Sequence, residues 1–305
     1  MTQGAASRHE SRWRLEEGDL VAEGLTALRL LGGGLRYEAY LAWSDRLQSL
    51  VVVKVVRPGL VDDDRTLKGL AAEVALLERL QHPVLVRGFD ATLGGPRPHV
   101  VLEHLEGPRL SSLLRRYGAL PAEQLLPLGV QLCAAAHYIA HEDVVHLDIK
   151  PSNIIMGAPA RLIDLSVART VEQCGRIGSP VGTDAYMAPE QCLAGEGVPV
   201  GPPADVWGIG VTLYEAATGR RPFAKGDPDA SEPALRWPQL TAGPPPADPL
   251  PPPMAATILS CLDEDPGRRP APVAVLAELE AGLAELPKPW VSKLRPRRGD
   301  SRARR

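Results

Sequence analysis

What most limits the folds open to this chain is a change of texture a third of the way along it. Up to Leu102 the sequence is made of short apolar runs broken by glycine and proline, such as Leu28 to Tyr40, Leu50 to Val56 and Val100 to Leu102, and one of them contains the β-branched triplet Val51-Val52-Val53. Runs of this kind bounded by turn residues read as strands. The exception is Leu67 to Leu80, where apolar residues recur at 67, 70, 74, 77 and 80, the spacing of one helix face. Glu103 to Gly107 reads as a connector, and beyond it the periodicity is helical, first over Leu110 to Arg116 and then over the long apolar repeat of Ala122 to Ala140. About five strands with one helix, followed by a mostly helical half, predict an α+β chain of two lobes. A length of 305 residues agrees, since it exceeds what a single core usually serves.

Bulk properties exclude several other classes. No window approaches the ~18 consecutive apolar residues of a membrane span, and Met1 to Trp13 has no apolar secretory core, so a cytoplasmic protein without a transmembrane segment is expected. Cys133, Cys174, Cys192 and Cys261 are widely separated with no C-x-x-C spacing, and they read as free thiols. The net charge of −3 conceals an asymmetry: residues 288–305 carry eight Lys or Arg against one Asp, leaving an acidic body with a basic tail. That tail is expected to be disordered and solvated, with a capacity to contact acidic surfaces; nucleic acid is not an expected partner. The first 20 residues are polar and expected to be mobile, with Trp13 and Leu15 as the side chains able to dock on a lobe. Seven prolines between Pro244 and Pro253 predict an extended surface loop. Only 6 of the 34 basic residues are lysines, which draws attention to Lys54 and Lys150.

The run His146-Leu147-Asp148-Ile149-Lys150-Pro151-Ser152-Asn153 places a carboxylate, an ammonium two residues later and an amide three beyond that between apolar segments. Such groups can converge on a hydroxyl, a γ-phosphate and a metal ion. The run resembles the H-R-D-x-K-x-x-N catalytic loop of eukaryotic-type (Hanks-type) serine/threonine protein kinases. Further motifs follow in the same order as in that family. Gly32-Gly33-Gly34 resembles the start of a glycine-rich phosphate loop, and Lys54 stands where a strand lysine would follow it, with Glu73 in the predicted helix as its partner. Leu162-Ile163-Asp164-Leu165-Ser166 keeps the Asp of D-F-G, and Gly182-Thr183-Asp184-Ala185-Tyr186-Met187-Ala188-Pro189-Glu190 closely resembles the end of an activation segment. Asp205 to Gly210 resembles the start of a central helix, and Arg269 would pair with Glu190. The resemblance runs from about Leu25 to Leu286 and is similar in texture to actinobacterial members.

The resemblance implies a bilobal protein-kinase fold with an N-terminal extension at 1–24, a kinase domain at 25–286 and the basic tail at 287–305. Within the domain it implies an N-lobe to about 102, a hinge at about 103–107 and a C-lobe from about 108. It implies ATP and Mg²⁺ as cofactors and a protein Ser or Thr hydroxyl as acceptor. Asp148 and Lys150 would be catalytic; Leu31, Gly32, Gly33, Gly34, Ala39, Val52, Lys54, Glu73, Glu103 and Leu105 would contact or support the nucleotide; Asn153 and Asp164 would hold the metal. Lys two residues after the base is the serine/threonine arrangement. Departures from the pattern carry their own expectations. Val52 has gained the bulk that Ala39 lost, keeping the adenine slot at its width. Leu147 replaces the Arg that usually meets an activation-loop phosphate, so activity is expected not to depend on that phosphorylation, with Thr170, Ser179 and Thr183 remaining as candidate autophosphorylation sites. Tyr37, Leu147 and Ser166 together motivate the alternative, a pseudokinase acting as a nucleotide-binding scaffold or regulatory module.

Overall fold

The computed structural model describes residues 11–248 and 250–286. The basic tail and the first ten residues of the N-terminal extension lie outside the described residues. The N-terminal lobe is a six-stranded antiparallel sheet of β1 (Leu20–Ala22), β2 (Leu25–Gly33), β3 (Tyr37–Ser44), β4 (Ser49–Val56), β5 (Gly88–Thr92) and β6 (His99–Glu103), in the order β1-β2-β3-β4-β6-β5. Strand alternation decides what β4 does. Val51, Val53 and Val55 are fully buried with Tyr40, Ala27 and Val101, which leaves Val52 and Lys54 on the opposite face. Trp13 and Leu15 pack against this buried group, so the stretch from Ser11 lies on the sheet. The Trp13 indole N–H donates to the Val56 carbonyl at 2.7 Å, and the Arg97 guanidinium lies 4.7 Å from its ring centroid.

Helix α1 (Asp64–Arg79) is the expected amphipathic helix. It begins at Asp63, whose carboxylate caps the Thr66 N–H at 2.8 Å, and it packs Leu70, Leu76 and Leu77 toward β5 and β6. After residues 104–109 the chain turns helical, with α2 (Leu110–Tyr117) and α3 (Ala122–His141). Short strands β7 (Val144–Val145), β8 (Ile154–Ile155), β9 (Arg161–Leu162) and β10 (Arg169–Thr170) pair as β7/β10 and β8/β9. Then come α4 (Val171–Cys174), α5 (Pro189–Cys192), α6 (Pro203–Thr218), α7 (Pro233–Arg236), α8 (Pro252–Ser260) and α9 (Pro272–Glu285). Every residue of α6 from Ala204 to Tyr214 is buried, the mark of a helix surrounded by others. Residues 241–248 of the proline-rich stretch are irregular, whereas Pro252 and Pro253 open α8, in the first turn where a missing N–H costs nothing.

Backbone pairing ties the lobes together: the Leu162 N–H donates to the Val84 carbonyl at 2.6 Å and the Val86 N–H to the Leu162 carbonyl at 3.0 Å. A single apolar core continues from Leu70 and Leu77 through Val84, Leu85 and Leu162 to Leu132, Ile139 and Leu213. All four cysteines are free and buried, and burial pushes the Cys174 thiol up to about 12. Among the described residues no helix is long and apolar enough to cross a membrane.

Candidate active site

Lys54 is where the two lobes meet chemically. Its ammonium, 12% exposed, donates to Glu73 at 2.8 and 2.9 Å and to Asp164 at 2.8 Å. One cation thus joins a sheet, a helix and the segment after β9. Burial by itself would lower the pKa of Lys54, but the Glu73 and Asp164 carboxylates outweigh it and hold the ammonium above the ordinary lysine value. Burial likewise works to raise Asp164, and Lys54 with the groups of Ser166 instead holds its carboxyl well below the usual range. Asp164 adopts φ +72°, a left-handed conformation rare outside glycine and one that clusters at functional sites.

The second network centres on Asp148. Its Oδ2 accepts from Lys150 Nζ at 2.6 Å and from Asn153 Nδ2 at 3.0 Å, while its Oδ1 accepts from the Thr183 hydroxyl at 2.7 Å. Lys150 also donates to the Thr183 oxygen, so that hydroxyl bridges the carboxylate and the ammonium. Asp205, at the start of α6, holds the loop from behind: its carboxylate accepts the His146 and Leu147 N–H groups, each at 2.8 Å. Burial pushes the Asp205 carboxyl up, against the pull of His146 and those two bonds. His146 is fully buried and its Nδ1 accepts the Asp148 N–H at 3.3 Å, a bond that shapes the loop.

Cross-strand register shows which of the residues expected to meet the nucleotide share a face. Ala39 lies opposite Lys54 and Leu41 opposite Val52, so Ala39, Val52 and Lys54 share one side of the sheet. Leu31 sits at the irregularity between Leu30 and Gly32 where β2 leaves its register with β3. In the glycine triplet the close approach falls on the middle residue: a Cβ on Gly33 would meet the Tyr37 carbonyl at 2.6 Å, whereas one on Gly34 would meet nothing within 4 Å. Gly32 is instead the member of the triplet at positive φ, +145°. Glu103 ends β6 with its carboxylate paired to Arg161, whose Nη1 lies 3.3 Å from Oε1, and Leu105 packs half-buried on the main core.

Tyr37 stands out in the sequence only as a departure from glycine. Its ring lies 4.8 Å below the Lys54 ammonium and its hydroxyl donates to the Thr66 carbonyl at 3.3 Å, linking the glycine turn to α1. Arg57 gave no sequence signal. Its Nε donates to the Gly34 carbonyl at 2.8 Å and its Nη1 to the Ser11 carbonyl at 3.3 Å. Gln191 was also missed, and its only cue is its place beside Glu190. Its amide donates to the carbonyls of Leu147 at 2.9 Å and Val181 at 2.8 Å, tying the 182–190 stretch to the catalytic run. Gly182, at φ +130°, lets this happen, since a Cβ there would sit 2.8 Å from the Leu147 carbonyl.

Leu147 is 4% exposed at φ +66°, in an apolar cluster with Cys174, Ala188, Trp207, Val211 and Phe223, against which Ile177 and Val181 pack. Nearby, Arg269 makes the expected bidentate pair with Glu190 at 2.7 and 2.8 Å, both side chains almost fully buried. Residues that could hold a divalent cation are few. Among the described residues no group of three or more His, Cys, Asp or Glu is gathered as a metal cage. Asn153 spends its amide N–H₂ on Asp148, leaving its carbonyl oxygen, and Asp164 keeps Oδ2 while Oδ1 engages Lys54. Two hard oxygens of this kind fit Mg²⁺, which commonly takes one or two protein ligands and completes its shell with phosphate and water.

The protein kinase domain family matches residues 25–279 of the chain. Serine/threonine-protein kinase PknB of Mycobacterium tuberculosis (strain ATCC 25618 / H37Rv) is 29% identical over 277 residues, covering 84% of this chain and 42% of that protein. The probable serine/threonine-protein kinase PkwA of Thermomonospora curvata is 33% identical over 270 residues, 87% of this chain and 35% of that protein. PkaA of Streptomyces coelicolor, also a serine/threonine-protein kinase, is 33% identical over 228 residues, 72% of this chain and 41% of that protein. The chain therefore spans less than half the length of these curated relatives. A crystal structure of another kinase domain has a TM-score of 0.73 with 19% identity, covering 88% of this chain and 98% of that one, and it shows the bilobal kinase fold.

Proposed function

Because the chain belongs to the protein kinase family, we propose that it is an ATP-dependent serine/threonine protein kinase, acting in the cytoplasm on protein hydroxyls through a domain at 25–286 hinged at about 103–107. The observation that carries this reading is the joining of Lys54 to both Glu73 and Asp164, because phosphoryl transfer in this family needs the lysine–glutamate pair and the metal-holding aspartate in place together. Lys54 would hold the α- and β-phosphates. Asp148 would orient the acceptor hydroxyl and take its proton, with Thr183 and Asn153 fixing the carboxylate, and Lys150 would neutralise charge on the γ-phosphate. Asn153 and Asp164 would hold Mg²⁺, which when bound supplies charge neutralisation across the phosphates. Ala39 and Val52, on the Lys54 face, would line the adenine slot together with Leu31, Glu103 and Leu105.

The test is transfer of radiolabelled phosphate from ATP by wild type and by Asp148→Asn. Loss of a general base lowers turnover by about 10²–10⁴-fold, and a drop of that size is expected. Equal signals from the two proteins would favour the pseudokinase reading instead.

The regulatory part of the proposal is that activity does not depend on activation-segment phosphorylation. Leu147 supports it by occupying, with Cys174, Ile177 and Val181, an apolar cluster in the place of a phosphate-binding arginine. Apolar burial and the Gln191 bonds then order the segment with no added charge. Phosphatase treatment should leave most of the activity intact; loss of most of it overturns this part.

A further inference from the structure

Next to the Asp148–Thr183 hydrogen bond lies a cavity of about 480 Å³. Its floor is Gly182 to Ala185, the stretch whose Thr183 hydroxyl touches the proposed base, and its walls include Arg221, Lys225, Arg236 and Pro238. A polypeptide that presents a hydroxyl to Asp148 would come within reach of Thr183 and hence of this lining. The charges around it do not cancel. Asp184 is the one carboxylate on the lining, and it is already engaged: it lies 3.4 Å from Arg236 Nε and accepts the Trp237 indole N–H at 3.1 Å. The Arg236 guanidinium is held in turn 4.7 Å from the centroid of the Trp237 ring. Glu215 lies off the lining and accepts the Tyr186 hydroxyl at 2.6 Å. Arg221 and Lys225 are left without an ion-pair partner among the described residues, one half-buried and the other exposed.

We propose that this cavity is a specificity subsite for an anionic side chain, a carboxylate or a phosphoryl group, close in sequence to the acceptor hydroxyl, with Arg221 and Lys225 as its recognition residues. The inference rests on the kinase reading for its placement and adds the substrate class. Arg221 and Lys225, with no ion-pair partner of their own among the described residues, lower the energy of an anion brought to this lining, and the half-buried Arg221 is the less screened of the two. A basic neighbour would meet the same two cations unfavourably, so the site selects by repulsion as well as attraction.

The experiment measures binding and phosphate transfer side by side on the full chain. Fluorescent serine peptides carry Asp, phosphoserine, Ala or Arg in turn at each position within three of the acceptor. Peptides with an anion at the matching position should bind roughly five- to tenfold more tightly than their Ala counterparts, Arg peptides more weakly, and the difference should shrink as salt is raised. The Asp and phosphoserine arms separate the two sources of anion, and competition by inorganic phosphate distinguishes a peptide-borne group from free phosphate. Arg221→Gln/Lys225→Gln should abolish the preference, and Arg221→Glu/Lys225→Glu should turn it toward Arg peptides. Equal binding of anionic and Ala peptides by wild type, or a preference that survives in a double variant with unchanged melting temperature, overturns the subsite. An anionic binding preference that holds while no peptide is phosphorylated supports the subsite and overturns the kinase reading.

Discussion

Lys54 carries more of the site than any other side chain, because three elements meet on its ammonium and two carboxylates depend on it. Glu73 is 2% exposed, so removing the lysine leaves a buried carboxylate without its counter-charge. Lys54→Met should therefore cost about 3–5 kcal/mol in urea unfolding, and Lys54→Met/Glu73→Leu should recover most of that loss. The pH dependence has a definite sign. Burial already pushes the Glu73 carboxyl up against the opposing pull of Lys54, and in the single variant that opposition is gone. An acid whose folded pKa lies above its value of 4.5 in the free state binds its proton more tightly when folded. The single variant should thus regain stability relative to wild type as the pH falls toward 4.5, whereas the double variant should not. Glu73 was legible in the sequence because it lies 19 residues after Lys54 inside the predicted helix, where the family resemblance puts the partner of that lysine. Tyr37 was legible only as an anomaly, since nothing local says that its ring lies under a lysine 4.8 Å away.

At the level of elements, the segment between β9 and α6 is the part whose order most needs a physical cause. It lies on Leu147, Trp207 and Phe223, the last two stacked at 5.5 Å, and is fastened at its end by Glu190 to Arg269. Restoring the usual arginine by Leu147→Arg would put a guanidinium into this apolar cluster, where the neighbouring Asp205 carboxylate is already spent on the His146 and Leu147 N–H groups. The expected loss is on the order of 3 kcal/mol, read as a lowered unfolding midpoint together with faster proteolysis within 165–190. The strands and long helices of the chain could be read in advance because their periodicity is local: apolar runs gave β4 and β6, and the 67 to 80 repeat gave α1. Three-residue β1 and four-residue α4, α5 and α7 could not, since elements that short complete no period and are held by tertiary contacts. Gln191 belongs with them, because its two carbonyl partners lie 44 and 10 residues away.

Across the whole molecule, the N-terminal stretch from Ser11 and the glycine turn form a connected unit through Trp13, Glu38, Arg57 and Gly34. Trp13→Ala should remove about 1–2 kcal/mol of stability and weaken ATP binding severalfold, with hydrogen exchange rising in residues 31–37; an unchanged ATP affinity would disconnect the two ends of this chain of contacts. Such a link spans 43 residues of sequence between Trp13 and Val56, which is why composition suggested only that Trp13 was able to dock. The same indole has an optical consequence. Trp13 sits on the N-terminal lobe under an arginine, and Trp237 binds Asp184 beside the cavity proposed for the acceptor peptide, while Trp207 is sealed in the interior. Two of the chain's five tryptophans are therefore placed as intrinsic fluorophores near the two proposed binding sites. Variants retaining only one of them would report, without any added dye, whether nucleotide and acceptor peptide arrive in a fixed order or independently.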